Sequence, residues 1–347
     1  MKRVLLLHTG GTLGMAPASQ ARAPLAPDRY QRALGEQVPE LAKLAEVETR
    51  ILCNLDSSDV GPDEWAAIAG EIARARDRAD GIVVVHGTDT MAYTAAALSF
   101  ALRGLDRPVV LTGSQRPLGE VRTDARRNLV DAVDLARRPI PEVGICFDGR
   151  LLRGNRATKG DAWSYAAFAS PGCPPLARLG LDVEIADHVR APSEPFALSQ
   201  PKGRAAFDPR VAVVHLLPGM DPRALSSWLD ASAGEVRGIV LAAFGTGNAP
   251  LRPRPLAPAV RRAVDAGVTV LVVTQARAGA VDLALYENGA ALAEAGALSG
   301  GDMLLEAASV KLMHALALFP DDAAARATYL ATNVAGERSD QSHHLRD

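Results

Sequence analysis

The side chains best suited to chemistry in this chain follow short apolar runs. Thr12 closes a T-G-G-T turn after the run 4–7, and Thr88 and Asp89 stand in H-G-T-D-T after the run 82–85. Asp56, Ser57, Ser58 and Asp59 follow the run 51–55, and Lys159 lies in R-G-N-R-A-T-K-G-D. Each run before a threonine signature reads as a buried parallel strand, and ligands of an open α/β sheet bind in the crevice outside the strands' carboxyl ends. Threonine, lysine and aspartate gathered there suit attack by a hydroxyl on a carbonyl, with proton transfer through an amine, which is amide chemistry. A threonine hydroxyl is a poor nucleophile unless its proton can leave, so it requires an acceptor in hydrogen-bond reach.

Each of these residues has a plainer account. Thr12 could be a turn threonine bonding its own backbone, and Thr88 or Asp89 could cap the helix that begins near Met91. The stretch from Asp56 to Asp59 could be a hydrogen-bonded turn before Gly61, and Lys159 a solvated lysine in a loop shaped by glycine and asparagine. His8 and His86 read as structural groups rather than bases. No G-x-S-x-G elbow, H-E-x-x-H, C-x-x-C or G-x-x-x-x-G-K-[ST] occurs, and T-G-G-T-L-G is not the G-x-G-x-x-G fingerprint. Residues 15–28, rich in alanine and proline, start no helix that could aim its dipole at a pyrophosphate. They read instead as a loop covering a cleft.

The elements that must position these groups alternate. Strands are expected at 4–7, 48–53, 82–85, 109–112 and 143–147, with helices at 30–45, 62–76, 91–102 and 125–136, which is α/β order with a mostly parallel sheet. The helix at 62–76 has Pro62 at its first position and Asp63 and Glu64 in its first turn, and its Trp65, Ile68, Ala69 and Ile72 share one face. Residues 191–209 lose apolar periodicity and gather prolines, so they read as a linker between an N-terminal catalytic domain, 1–190, and a smaller C-terminal α/β domain, 210–347. In the latter, strands are expected at 211–216, 238–243 and 269–274, with helices at 222–231, 257–265 and 302–318.

With 347 residues, 48% of them hydrophobic, the chain can bury a full core. Its 38 basic and 40 acidic residues leave a formal charge of −2, so no basic excess points to nucleic acid or an anionic membrane. No apolar stretch approaches the ~18 residues of a membrane helix, and the apolar run at the N-terminus is too short for a signal sequence. Cys53, Cys146 and Cys173 are odd in number and widely spaced, which argues against a disulfide framework or a zinc site and fits a reducing cytoplasm.

The segments HTGGTLGM, LDSSD, VVVHGTDTMAYTAAALSF, LTGSQRPLGEVRTDARRNL and RGNRATK, in this order and spacing, resemble the L-asparaginase family, in its cytoplasmic bacterial type I branch. FGTGNAP, GGDMLLEAASVKLM and NVAGE extend the resemblance over nearly the whole chain. The resemblance implies a two-domain fold and hydrolysis of L-asparagine to L-aspartate and ammonia, without metal or organic cofactor. Thr12 would be the nucleophile that forms an acyl-enzyme, with Thr88, Asp89 and Lys159 as the second catalytic trio. Lys159 belongs to the proton relay by this likeness, with no protonation state assigned. Ser57 would contact the substrate's α-carboxylate and Asp89 its α-ammonium, with Asp56 and Ser58 lining the pocket. Backbone N–H groups of the Gly-rich turn and of the helix start near Thr88 would hold the oxyanion. The family's assembly implies a homodimer or homotetramer, in which Asn248 and Asp282 are candidates to reach another chain's site.

Two departures from the family pattern stand out. Where members usually carry a tyrosine that bonds the nucleophile, this chain reads Gln20-Ala21-Arg22-Ala23-Pro24, and Tyr30 belongs to the following helix. Slower turnover than in relatives is the expectation. Some type I members are activated by asparagine at a second pocket that uses an arginine before the G-x-G-N turn; here that place holds Ala242-Ala243, so hyperbolic kinetics are expected.

Overall fold

Runs of valine, isoleucine and leucine too apolar for a sheet surface make the centre of the first sheet. In the computed structural model, which describes residues 1–15, 26–192, 205–232 and 234–339, the chain divides into two compact units, Met1–Ala205 and Ala206–Asp347. The first unit contains strands β1 (Arg3–Gly10), β2 (Glu46–Leu55), β3 (Gly81–Val85), β4 (Val109–Thr112), β5 (Val143–Phe147), β6 (Arg150–Arg153), β7 (Thr158–Lys159), β8 (Phe168–Ala169), β9 (Ala177–Leu179) and β10 (Val183–Ile185). Every residue of β3, β4 and β5 is buried, as the continuous apolar runs require of strands covered on both faces.

Its main sheet runs in the order β10-β9-β6-β5-β4-β3-β1-β2. The five strands from β2 to β5 pair in parallel, whereas β6, β9 and β10 pair antiparallel. Strand order reverses at β1, which lies between β2 and β3, and an open sheet parts its connections at such a point to leave a crevice. The parallel register opposes His8 to Val85 and Val85 to Thr112, and Gly10 to Leu55. Four turns therefore leave the sheet side by side at one edge.

Helices cover both faces. Helix α3 (Pro62–Ala75) buries Trp65, Ile68, Ala69, Ile72 and Ala75 on one stripe, and its start is fixed by Pro62 and by the Gly61 N–H donating to Glu64 Oε2 at 2.9 Å. Helix α4 (Met91–Ala101) has only small or apolar residues on nearly all sides and is buried accordingly. The expected helix at 30–45 is instead two pieces, α1 (Pro27–Gln37) and α2 (Leu41–Leu44). The chain leaves the helical region at Val38 (φ −132°) because Pro39 follows, and the residue before a proline is pushed toward extended backbone.

The second unit has a parallel four-stranded sheet in the order β11 (Val211–His215), β12 (Gly238–Ala243), β13 (Thr269–Thr274) and β14 (Leu298–Ser299). Helices Pro222–Ala231, Ala257–Asp265 and Leu305–Leu318 fall where the sequence places them, the last starting three residues late. Helices Glu287–Glu294 and Ala323–Ala331 were not anticipated. Of the span read as a linker, 193–204 lies outside the described residues, while Phe207 packs against His314 and the Asp208 N–H bonds Met313 O at 2.9 Å within the second unit. No described helix is long and apolar enough to cross a membrane.

Candidate active site

The site is built from turns at the carboxyl ends of β1, β2, β3 and β4. At Gly10 (φ +121°) and Gly11 (φ +86°) the backbone takes conformations that side chains disfavour, and a Cβ on Gly11 would stand 2.5 Å from the Cα of Gly87. The two threonine signatures thus touch backbone to backbone, which sets Thr12 beside the turn of Thr88. A Cβ on Gly87 would in turn strike Ser57, so the Asp56–Asp59 turn closes the other side. Thr90 ties the same two turns, its hydroxyl donating to Ser57 O at 2.5 Å.

Lys159 arrives from farther along the chain. After the β5–β6 hairpin, a 3-10 turn at Gly154–Arg156 packs against Ala95 of α4, where a Cβ on Gly154 would come within 3.0 Å. This contact delivers β7 to the amino end of α4. Lys159 Nζ donates to Thr88 Oγ1 at 2.8 Å and to Asp89 Oδ1 at 2.5 Å. Thr88 is buried and Lys159 mostly so, with 16% of its side chain exposed, whereas 68% of the Asp89 side chain faces solvent.

These bonds decide between the accounts left open by the sequence. The residue at the start of α4 is Thr90, and no side chain there bonds the first-turn amides. Thr88 and Asp89 face Lys159 instead of capping, and Lys159 is not a freely solvated lysine. Thr12 is half-buried, begins the 3-10 turn Thr12–Gly14, and its hydroxyl makes no hydrogen bond among the described residues. Asp56 does form a local turn, accepting from Ser58 N at 2.9 Å and Ser58 Oγ at 2.7 Å, bonds that hold its carboxyl below the usual range. Ser57 is buried and Ser58 exposed. The Gly11 N–H is engaged by Leu55 O at 3.2 Å, so this member of the Gly-rich turn is not free to hold an oxyanion.

Both histidines are held as structural groups. His86 Nδ1 faces Gly87 O at 2.7 Å and must carry the proton, because a carbonyl only accepts. Its Nε2 then accepts from Thr94 Oγ1 at 2.9 Å, while Thr94 accepts from Trp65 Nε1 at 3.1 Å. Burial lowers the pKa of His86 to about 4, and that of His8 likewise to about 4. Tyr30 is fully buried against the His8 ring, at 4.0 Å between centroids, so its hydroxyl lies in the core. The tyrosine-free stretch 20–24 lies outside the described residues. Among the described residues no three His, Cys, Asp or Glu side chains are grouped to hold a metal ion.

Residues 3–190 match the "Asparaginase, N-terminal" family and residues 210–329 the "Glutaminase/Asparaginase C-terminal domain". The chain belongs to the asparaginase family. It is 37% identical to L-asparaginase 1 of Escherichia coli (strain K12) over 341 residues, covering 97% of this chain and 98% of that one. The crystal structure of L-asparaginase I from Vibrio cholerae superposes with a TM-score of 0.86 at 35% identity, over 97% of this chain and 99% of the other. The thermostable L-asparaginase from Thermococcus kodakarensis gives 0.85 at 35% identity, over 98% and 100%.

Within this asparaginase fold, one site residue escaped the reading of the sequence. Gln115, three residues past the end of β4, accepts from Thr88 Oγ1 at 3.2 Å. Its signal was positional: β4 is the sheet neighbour of β3, so the polar residue past its end had to lie beside Thr88. Asn248 and Asp282 belong to the second unit, where the Asp282 N–H bonds Thr246 O, two residues before Asn248, at 2.9 Å and Asp282 Oδ1 accepts from Ala284 N.

Proposed function

We propose that this asparaginase-family chain hydrolyses L-asparagine to L-aspartate and ammonia through a covalent intermediate on Thr12. The Thr12 oxygen attacks the side-chain carboxamide carbon, its proton passing to an acceptor in the site. The tetrahedral adduct collapses as the C–N bond breaks and ammonia takes up a proton. Water then attacks the resulting ester, releasing aspartate and returning the proton to Thr12. A hydroxyl that is half-buried, unbonded among the described residues and set on a glycine turn packed against Gly87 suits the nucleophile. Thr88, Lys159 and Asp89 serve as the proton relay and electrostatic support.

The observation that carries this reading is the bond pair from Lys159 Nζ to Thr88 and Asp89, in a turn whose backbone meets that of Gly11, the residue before Thr12. An exposed carboxylate beside the relay suits the α-ammonium of an amino acid. It would reject ligands lacking that charge, since its loss of water would go uncompensated. Ser57 takes the α-carboxylate, with Asp56 and Ser58 at the rim, and the oxyanion falls to N–H groups of the two turns other than Gly11. The three cysteines are all unpaired, which suits the reducing cytoplasm in which we place the protein. We read it as a homodimer or homotetramer in which Asn248 and Asp282 reach the site of another chain.

Steady-state ammonia release from asparagine and glutamine, by the wild type and by Thr12→Ala, tests the reading. Asparagine turnover that vanishes in the variant is expected. Faster release from glutamine would move the substrate assignment, and undiminished activity in Thr12→Ala would overturn the mechanism.

A further inference from the structure

We propose that Gln115 is the positioning residue that sets which way the Thr88 hydroxyl points its proton; the inference rests on Thr88 being part of the relay. A threonine hydroxyl has one proton and two lone pairs. One lone pair receives the Lys159 ammonium at 2.8 Å, and the proton goes to Gln115 Oε1 at 3.2 Å. The second lone pair is then directed at whatever enters the cleft. Thr88 meets an incoming amide N–H or water as an acceptor, the role a relay needs when it receives a proton.

The orientation of the amide is fixed by its other end. Gln115 Nε2 lies 3.2 Å from Ala162 O and 3.1 Å from Ser164 O, both of which can only accept. Turned over, the amide would set its oxygen against two carbonyl oxygens, so Oε1 must face Thr88. The backbone is held as firmly. Gln115 N–H donates to both oxygens of Asp124, at 3.1 and 3.0 Å, and Arg116 N–H to one of them at 3.1 Å. Asn128 Nδ2 bonds the same carboxylate and Gly113 O. A residue whose amide is held by two carbonyls and whose backbone N–H is held by one carboxylate, and which ends on one catalytic hydroxyl, is built to direct it.

Two variants test the proposal. Gln115→Met keeps the volume but removes both amide functions, leaving the Thr88 proton free to turn into the cleft. We expect kcat to fall about 10- to 100-fold with KM changed less than about 3-fold, the scale of a misdirected catalytic group. Gln115→Glu sets a carboxylate against the carbonyls of Ala162 and Ser164 when ionised. When protonated it reproduces the amide, with one O–H to donate and one carbonyl to accept from Thr88. Its activity relative to wild type must therefore rise as pH falls toward the carboxyl range. Wild-type kcat in Gln115→Met overturns the proposal, and so does a Gln115→Glu to wild-type ratio that is flat with pH, whatever the methionine variant does, since that pattern marks a merely structural side chain. Failure of the asparaginase reading itself looks different: the wild type would release no ammonia, or Thr12→Ala would release as much.

Discussion

Two lysine–carboxylate pairs, one in each unit, have the same length and opposite surroundings. Lys159 lies 2.5 Å from Asp89, and Lys311 lies 2.5 Å from Glu337. Lys311 and Glu337 are both wholly buried. Lys311 also donates to Leu330 O and Thr332 O and lies 5.5 Å from the centre of the Tyr329 ring, while Glu337 accepts from the N–H groups of Val334 and Ala335. The pair therefore clamps the segment after helix Ala323–Ala331. The Lys159 pair shares its ammonium with a hydroxyl and leaves its carboxylate in water. An ion pair can staple a fold only when it is saturated, and it can join in a reaction only when a partner is left exchangeable.

The largest expected effect lies at the proposed nucleophile beside the open pair. Thr12→Ala should lower kcat by at least about 10³-fold, as removal of a nucleophile does, without moving Tm by more than a degree or two. Ammonia release together with thermal unfolding checks both halves. Next, Lys159→Met should lower kcat on the order of 10²- to 10⁴-fold. Its stability should barely change, because a pair with an exposed carboxylate contributes little. A large fall in Tm with normal kcat would erase the contrast between the two pairs.

Lys311→Met should do the reverse. It leaves the Glu337 carboxylate buried without its cation, which costs about 3–5 kcal/mol. Tm should fall on the order of 10 °C while kcat per folded molecule is retained. The double variant Lys311→Met with Glu337→Leu should recover much of that loss, because no charge is then left stranded. Calorimetry on the three proteins decides it, and an unchanged Tm in Lys311→Met would show that the clamp is idle.

Smaller effects come from the buried rings behind the site. His8 and His86 are neutral in the fold, with pKa values of about 4 against 6.5 for the free side chain. Between those values the unfolded chain binds protons that the folded chain does not. Stability present above pH 6.5 is therefore lost as pH falls toward 4, by on the order of a few kcal/mol per ring at most. The Tm of His86→Gln should follow pH less steeply than that of the wild type. Asparagine saturation should give a Hill coefficient near one, because Ala242 and Ala243 are buried in β12 and offer no guanidinium; a sigmoidal curve would contradict this.

Much of this was legible in the residues. The runs at 109–112, 143–147, 238–243 and 269–274 were bounded to the residue, because short, almost wholly apolar stretches flanked by turn formers point to buried strands. Short antiparallel strands such as Ala177–Leu179 and Val183–Ile185 were not, since three residues carry no period and form only because β6 offers an edge to the first and the first an edge to the second. The break at Val38 was missed because the apolar pattern continues across Pro39. Motif and order also brought Thr12, Thr88, Asp89 and Lys159 forward as candidates.

What the sequence by itself determined was the chemical inventory and the edge of the sheet where it gathers, because burial pattern and turn residues act locally. Only the tertiary structure decided which hydroxyl faces which amine. It turned Thr88 and Asp89 to Lys159 rather than to the helix amides, engaged the Gly11 N–H on Leu55, and set Gln115 against Thr88. Those choices depend on strand register and on a hairpin returning about seventy residues later, and a hydrogen bond is fixed by tenths of an ångström that no local pattern encodes.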